Sequence, residues 1–418
     1  MSNWNKSNRY RYRLLTYFMA FGTVFITISM VKYPKEAFDS AIAGVTLWWN
    51  VVFPSLLPFF ILSEILMGLG VVHFIGVLLE PLMRPVFNVP GIGAFALSMG
   101  LASGYPMDAV ITGKFRQNKL CSAVEAERLL SFTNTADPLF MFGAVAVGMF
   151  GQPELGATIA LAHYLASFLV GVIYRFHGRN REPITQESSR PAGNILLRAF
   201  HELYKARQQD NRSFGQLLGD AVKSSMNTIL LVGGFIILFS VLLRIIAIIG
   251  ITDILSHMFS ALLSLLGFST TLAPALVSGL FELDLGALAA SQANAPLIEK
   301  IAITSAIVAW SGLSVHAQVA SIVIESGIRM APYMLSRLLH AIFALLLTLL
   351  FMKPAHAVVQ TISMPMITIP GSSSPLTFWL LHLEQISYIF LLFSLLLIGL
   401  SMVFHIAPKV RYFMRKYN

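Results

Sequence analysis

Apolar runs long enough to cross a lipid bilayer recur along almost the whole chain, and they constrain its fold more than any other feature. A helix of about 20 apolar residues spans the hydrocarbon core of a bilayer. We predict eight such spans, at residues 14–31, 54–70, 124–150, 155–174, 224–249, 301–324, 333–351 and 378–405. Only 12% of the residues are charged, against about 25% in soluble domains. The sequence therefore predicts an all-α polytopic membrane protein that contacts lipid.

The basic residues lie in loops and in the two tails rather than on one amphipathic face. The formal charge of +9 is therefore typical of orientation in a bilayer, and we expect no nucleic-acid binding. A single cysteine, Cys121, excludes an internal disulfide. No HExxH or paired CxxC spacing is present, so we predict no metal site and no cofactor.

The N-terminus combines basic residues with the first apolar run. Lys6, Arg9, Arg11 and Arg13 precede this run, and no small-x-small cleavage site follows it. We interpret residues 1–32 as a retained signal-anchor helix whose N-terminus is cytoplasmic. A cleaved signal peptide is the alternative interpretation.

A basic stretch divides the membrane segments into two halves that resemble copies of one unit. Residues 175–212, rich in arginine, are predicted to be a cytoplasmic linker. Residues 33–174 and 213–352 match each other at an offset of about 180 residues, in stretches that begin at Asp39, Ile92 and Ser131 and at Asp220, Leu272 and Val308. We predict an internal duplication, followed at 353–418 by an external loop and a C-terminal transmembrane helix.

Charge placement predicts how the two halves are oriented. If the first helix runs from inside to outside, the first half begins outside and the second begins inside, so the halves form an inverted repeat, as in many transporters. The basic segment 113–128 and the basic C-terminal tail then lie in the cytoplasm, in accordance with the positive-inside rule. Segments 92–112 and 272–292 are predicted to be two re-entrant hairpins that enter from opposite sides.

Four segments place helix-breaking or ionisable residues at membrane depth. Pro138 and Pro106 are each predicted to begin a new half-helix, with Asp137 as an N-cap, because the residue before a proline is restricted away from helical conformation. Broken backbone in a bilayer is tolerated only where it is buried in protein or lines a wet cavity. We therefore predict that the following residues bind solute or a coupling ion: Ser103, Gly104, Tyr105, Pro106, Asp108, Asn134, Thr135, Asp137, Glu282, Asp284, Ser311, Gly312, Ser314, His316 and Gln318.

Other polar residues in the apolar segments are expected to be structural. A charged side chain at the bilayer centre costs at least ~2.5–3.5 kcal/mol, so it needs a partner, a proton or water. Glu64 and Arg244 occupy equivalent positions of the two halves, and we predict a buried ion pair between them. Ser103 and His316 could in principle form a hydrolase dyad, but the G-x-S-x-G elbow is absent. We therefore predict no enzymatic activity, and a non-transporting scaffold is the main alternative to a transporter.

Several long stretches of the chain carry a family resemblance. They are "WWNVVFPSLLPFFILSEILMGLGVVHFIGVLLEPLMRPVF" from Trp48, "MGLASGYPMDA" from Met99, "EAERLLSFTNTADPLFMFGAVAVGMFG" from Glu125, "SGLFELDLGA" from Ser278 and "SGLSVHAQVAS" from Ser311. In these stretches the chain resembles the sporulation integral membrane protein YlbJ family, built from two Gate-type, nucleoside-recognition domains. The resemblance implies a transporter in the forespore membrane that moves dipicolinic acid, a pyridine dicarboxylate. Gate-type repeats are also similar to those of concentrative nucleoside transporters, which implies a core with two hairpins by analogy only.

The chain departs from the family pattern at three positions. A small residue is usual where Asp108 stands, a lysine where Val110 stands and a neutral residue where Asp137 stands. Relative to that pattern the site loses a cation and gains carboxylates, which is unfavourable for a dianionic solute. Three alternatives would resolve this conflict: a co-transported H+ or Na+, protonation of the two aspartates, or a different solute that is nucleoside-like or cationic. The sequence leaves all three open. It also leaves open whether the protein forms a homo-oligomer.

Overall fold

A computed structural model of the chain describes residues 2–178, 194–362 and 395–403, and within these ranges the chain is helical with no strand. The all-α prediction is thus confirmed. The helices are α1 (Ser2–Lys32), α2 (Pro34–Leu47), α3 (Phe53–Gly68), α4 (Val71–Leu82), α5 (Gly93–Ser103), α6 (Met107–Gln117), α7 (Ala123–Thr133), α8 (Leu155–Tyr174), α9 (Ile195–Asp210), α10 (Phe214–Ile248), α11 (Ile251–Leu265), α12 (Ala273–Phe281), α13 (Leu283–Gln292), α14 (Leu297–Trp310), α15 (Gly312–Val323) and α16 (Met330–Ile362). Residues 395–403 are helical as well. The predictions for the external loop, for most of the C-terminal helix and for the basic tail lie outside the described residues.

Five helical segments of the described chain are long and apolar enough to cross a membrane. They are Pro34–Gly68, Leu155–Tyr174, Phe214–Ile248, Leu297–Ser326 and Met330–Met352. The predicted span at 124–150 is not among them because it is divided into α7 and the π-helical segment Phe140–Met149. The first predicted span lies within α1, where Met19–Lys32 forms a shorter apolar helix. The count of eight spans stays a prediction.

The helical segment that contains the predicted span 54–70 starts much earlier than the sequence indicates. We predicted a span at 54–70, whereas helix is continuous from Pro34 through α2, the π-helical segment Trp48–Val52 and α3. Pro34 is tolerated because it occupies the first helical turn, where its missing N–H has no intrahelical acceptor. Pro54 lies in the first turn of α3, just after the π-helical segment, and proline is best tolerated in the first turn of a helix.

The order of helices in the first half recurs in the second. In each half a long helix is followed by a left-handed glycine, Gly70 or Gly250, then by a short helix, a helical hairpin, an interrupted helix and a final long helix. The two long helices that open the halves pack antiparallel. Trp48 Nε1 donates to Ile229 O at 3.0 Å near their crossing, while Ala37 packs against Val241 further along. The inverted relation of the complete halves stays a prediction.

The predicted ion pair between Glu64 and Arg244 is wrong. Glu64 Oε1 accepts a hydrogen bond from Ser224 Oγ at 2.8 Å, and Arg244 forms no ion pair within the described residues. Antiparallel helices bring equivalent residues together only near the point where they cross, which Trp48 and Ile229 mark. Glu64 lies towards one end of the two packed helices and Arg244 towards the other, so the two side chains are far apart.

Candidate functional site

The first predicted interruption lies between α7 and the π-helical segment. Residues 134–137 are non-helical, and helix resumes at Pro138. Asp137 Oδ1 accepts hydrogen bonds from Leu139 N at 3.0 Å and from Phe140 N at 2.8 Å. This confirms the predicted N-cap, in which a side-chain oxygen satisfies the first free N–H groups of a helix. We call residues 134–137 break 1.

The first hairpin turns at Gly104–Pro106, which we call tip 1, and tip 1 packs against break 1. Gly104 has φ +63° and ψ −160°, a conformation available essentially to glycine alone. A Cβ at this position would lie 2.8 Å from Asp137 Oδ2, so the close approach also requires glycine. Pro106 differs from its prediction: its φ of −101° and ψ of 25° are not helical, and α6 begins one residue later, at Met107.

Asn134 connects tip 1 to the second half of the chain. Its Nδ2 donates to Asp108 Oδ1 at 2.7 Å, and its Oδ1 accepts from the Tyr333 hydroxyl at 2.8 Å. Asp108 Oδ2 also accepts from Thr133 Oγ1 at 3.2 Å. Asp108, Thr133, Asn134 and Tyr333 are all buried. The Asp108 carboxylate of α6 is therefore held against break 1 by two neutral donors, Thr133 at the end of α7 and Asn134.

A buried cation that sequence reasoning missed completes break 1. Arg337 of α16 has 0% of its surface exposed and donates through Nη1 to Asn134 O and through Nη2 to Ser131 O. These carbonyls lie at the C-terminal end of α7, where the helix dipole favours a cation. An arginine inside the predicted span 333–351 was the available signal, because an ionisable residue at membrane depth is a functional hypothesis by default.

Two buried histidines form hydrogen bonds to break 1 and to Arg337. His163 Nε2 accepts from Ala136 N at 3.1 Å, and His340 bonds to His163 O at 2.8 Å and to Arg337 Nη1 at 3.1 Å. The Tyr164 hydroxyl donates to Ala136 O at 3.1 Å. The non-helical backbone of break 1 thus finds its hydrogen-bond partners in α8, as broken helices in membranes require.

The second half contains the corresponding tip and break. Ser311 and Gly312 have φ of 69° and 72°, which interrupts helix between α14 and α15; we call these two residues break 2. The second hairpin turns at Glu282, called tip 2, whose carboxylate caps α13 by accepting from Leu285 N at 2.9 Å. A Cβ at Gly312 would lie 3.0 Å from Glu282 Cα. Tip 2 therefore packs on break 2 in the way that tip 1 packs on break 1.

Contacts between the halves bring these four segments into one region. The Tyr105 hydroxyl of tip 1 donates to Val308 O of α14 at 3.1 Å. The His316 ring, which follows break 2 in α15, lies 4.4 Å from the Trp310 ring and 5.2 Å from the Tyr333 ring of α16. Both interrupted helices thus contact Tyr333, one helical turn before Arg337.

The remaining predicted residues are spread around this region. Ser103 shares a hydrogen bond with Ser63 at 2.9 Å, and Thr135 Oγ1 donates to Thr133 O at 3.4 Å. His316 Nδ1 bonds to Gly312 O at 2.7 Å, so Ser103 and His316 each have other partners and form no dyad. The remaining three positions differ in burial: Ser314 and Asp284 are buried, and Gln318 of α15 is partly exposed.

These features define a helical membrane protein whose two hairpin tips and two interrupted helices meet in one region. Residues 49–178 match the Gate family, described as nucleoside recognition. The chain is 46% identical over 333 residues to the sporulation integral membrane protein YlbJ of Bacillus subtilis (strain 168), a match that covers 80% of this chain and 82% of that protein. The chain belongs to the YlbJ family of sporulation integral membrane proteins.

Two solved structures of CNTnw variants align with the fold at low similarity. One is in an intermediate state, with a TM-score of 0.41, 14% identity and coverage of 84% of this chain and 88% of that one. The other is in an outward-facing state, with a TM-score of 0.39, 15% identity and coverage of 78% and 86% respectively.

Proposed function

We propose that this protein is a transporter required for sporulation, which moves dipicolinic acid or a similar small polar solute across the forespore membrane. The named relative supports the link to sporulation, and the family resemblance suggests the pyridine dicarboxylate. The observation that carries the proposal is the convergence of two interrupted helices and one buried cation, Arg337, from both halves of the chain.

Several buried polar atoms in this region favour a polar ligand. Ser314 Oγ, His316 Nε2 and Arg337 Nε have no hydrogen-bond partner in the described structure. Each buried polar atom left unpaired costs about 1–3 kcal/mol. Two of these atoms belong to His316 and Arg337, which both adjoin the Tyr333 ring, and this arrangement is consistent with a site that binds the polar groups of a solute.

The charge of Arg337 favours an anionic solute. Its guanidinium bonds to carbonyls and to His340, and it has no carboxylate partner within ion-pair distance in the described residues. A guanidinium presents two parallel donors that match a carboxylate. Arg337 can thus supply the cation that the family usually provides at the position of Val110, and a dicarboxylate remains compatible with this chain.

We further propose that H+ is the coupling ion and that Glu282 and Asp284 carry it. Both side chains are buried, Glu282 at tip 2 and Asp284 in the first turn of α13. One Asp284 oxygen is buried without a hydrogen-bond partner in the described residues. Buried acidic residues of this kind form the proton relays of many membrane transporters. Na+ coupling is the competing proposal.

Flux through reconstituted protein tests the proposal. The purified chain is placed in liposomes, and uptake of labelled dipicolinate is measured with a pH gradient, with a Na+ gradient and with neither. We expect uptake that depends on the pH gradient. Dependence on Na+ alone would contradict proton coupling, and competition by unlabelled nucleosides would indicate a nucleoside-like solute. Absence of flux from correctly folded protein would contradict transport and favour the scaffold interpretation.

Matched arginine variants test the site. Arg337→Gln should lower uptake at least ~10-fold, since one lost charge-assisted interaction of 1.5–3 kcal/mol corresponds to about that factor. Arg244→Gln removes an arginine that forms no ion pair in the described residues and should retain uptake. Glu282→Gln and Asn134→Ala should likewise abolish accumulation while membrane insertion persists. Equal uptake by the wild type and the Arg337→Gln protein would refute the site.

Orientation is tested separately. We propose that both termini lie in the cytoplasm, as the basic flanks predict. Reporter fusions at each terminus, active only in the cytoplasm, should both be active. Activity at one terminus alone would contradict the proposed topology.

A further inference from the structure

The helix α9 lies in the linker between the two halves and exposes an apolar surface that the proposed transport site does not use. Asn194 caps its first turn by accepting from Leu196 N at 2.9 Å, and Asn211, with φ 51°, ends it. Ser213, two residues later, is the N-cap of α10. α10 is an apolar helix long enough to cross the membrane. α9 is therefore held next to the start of a membrane-spanning helix by a short turn.

One face of α9 packs on the protein. Ile195 and Ala199 are buried against Leu78 of α4. Phe200 lies 4.9 Å from Phe74, between ring centroids, at the edge of this contact. Arg198 pairs with Glu80, which fixes the rotation of the helix about its axis. The orientation of its other faces is thus determined.

A second face is apolar and exposed. Leu197 is 71% exposed, Phe200 59% and Tyr204 61%. Residues three, four and seven positions apart lie on one side of an α-helix, so these side chains form one stripe. Further along the sequence, the apolar side chains of Phe214 and Leu218 at the start of α10 are also exposed.

The third face is polar but nearly neutral. Lys205 and Gln209 are exposed there, about 100–180° around the helix axis from Phe200 and Tyr204. The cations of the helix are matched by acids: Arg198 with Glu80, Lys205 with Glu202 at 3.7 Å, and Arg207 with Asp210 at 3.3 Å. A helix attracted to anionic lipid would instead present unpaired basic residues.

We infer that α9 is an interfacial helix that lies along the membrane surface, with Leu197, Phe200 and Tyr204 inserted among lipid acyl chains and its polar face in water. A helix with one apolar and one polar side binds the boundary between headgroups and acyl chains, and tyrosine is enriched at this depth. Contiguous apolar side chains of this size rarely face water. Because the helix is charge-balanced, its insertion does not depend on anionic headgroups.

Site-directed spin labelling tests this inference without reference to transport. Cys121 is the single cysteine of the chain and is buried, so Cys121→Ser gives a background for single labels; Cys121→Ala replaces it if the serine variant does not elute as folded protein. Labels are introduced through Leu197→Cys and Tyr204→Cys on the apolar stripe. Matched controls are Lys205→Cys and Gln209→Cys on the polar face, and all four positions are exposed.

The measurement compares the accessibility of each label to oxygen and to a water-soluble nickel chelate. We expect oxygen to exceed nickel several-fold at 197 and 204, and the reverse at 205 and 209. The same pattern is expected in phosphatidylcholine vesicles with and without phosphatidylglycerol. High nickel accessibility at all four positions would overturn the inference, as would dipolar broadening at 197, which indicates a second copy of the chain. Insertion only in the presence of phosphatidylglycerol would overturn the charge argument.

Discussion

Replacement of Gly104 by alanine should destabilise tip 1 and break 1 together. Gly104 ends α5 and donates its N–H to Gly100 O at 3.0 Å. With φ +63° and ψ −160° it occupies a backbone region that costs other residues about 1–3 kcal/mol. The added Cβ would also lie 2.8 Å from Asp137 Oδ2 and 3.0 Å from Asp137 N.

The magnitude follows from these two contributions. The methyl group must displace the Asp137 carboxylate, whose other oxygen caps the π-helical segment, and loss of an N-cap costs typically ~1 kcal/mol. With the backbone cost, Gly104→Ala should lower the free energy of unfolding by about 2–4 kcal/mol. Because tip 1 also contacts α14 through Tyr105, we expect solute uptake to fall in the same variant.

Thermal unfolding in detergent measures the effect, and Gly234→Ala is the matched control. Gly234 lies within α10, and a Cβ there would meet no heavy atom within 4 Å. Alanine is favoured over glycine in helices by up to ~1 kcal/mol, so this variant should unfold at the wild-type temperature or slightly above it. Equal unfolding temperatures for the two alanine variants would refute the assignment of strain and close packing to Gly104.

Three further predictions rest on individual contacts. Asp137→Asn keeps a capping oxygen and should unfold like the wild type, whereas Asp137→Ala should lose ~1 kcal/mol by chemical denaturation; equal stabilities would contradict the capping role. A double-mutant cycle of Glu64→Gln and Arg244→Gln should give a coupling energy near zero, since the two side chains are not paired, and a coupling above about 0.5 kcal/mol would contradict the described packing. Arg212 donates to Asp210 and holds the pKa of that carboxyl below its usual range; the stabilisation is present above the unfolded value of about 3.9 and is lost as pH falls through the lower folded pKa. The thermal midpoint of the wild type should therefore exceed that of Asp210→Asn at neutral pH and converge with it in acid, and a constant difference down to pH 2 would contradict this.

The predicted interruptions at Asp137 and Gly312 were correct because they depend on local chemistry. A proline after Asp137 and the Ser311–Gly312 pair restrict the backbone within a few residues, whatever surrounds them. Glu64 was assigned a wrong partner because pairing depends on the direction in which two distant helices cross. Arg337 was missed because its acceptors, the carbonyls of Ser131 and Asn134, lie in the other half of the chain.

The sequence alone determined that this chain is a helical membrane protein with interrupted apolar segments, because apolar length and proline position act locally or through the bilayer as solvent. Only the tertiary structure decided which groups meet at those interruptions. Tyr105 contacts α14, and Arg337 contacts the end of α7. In each contact the two partners lie about 200 residues apart in the sequence. Such contacts depend on how helices are placed in three dimensions, and no local pattern of residues carries that information.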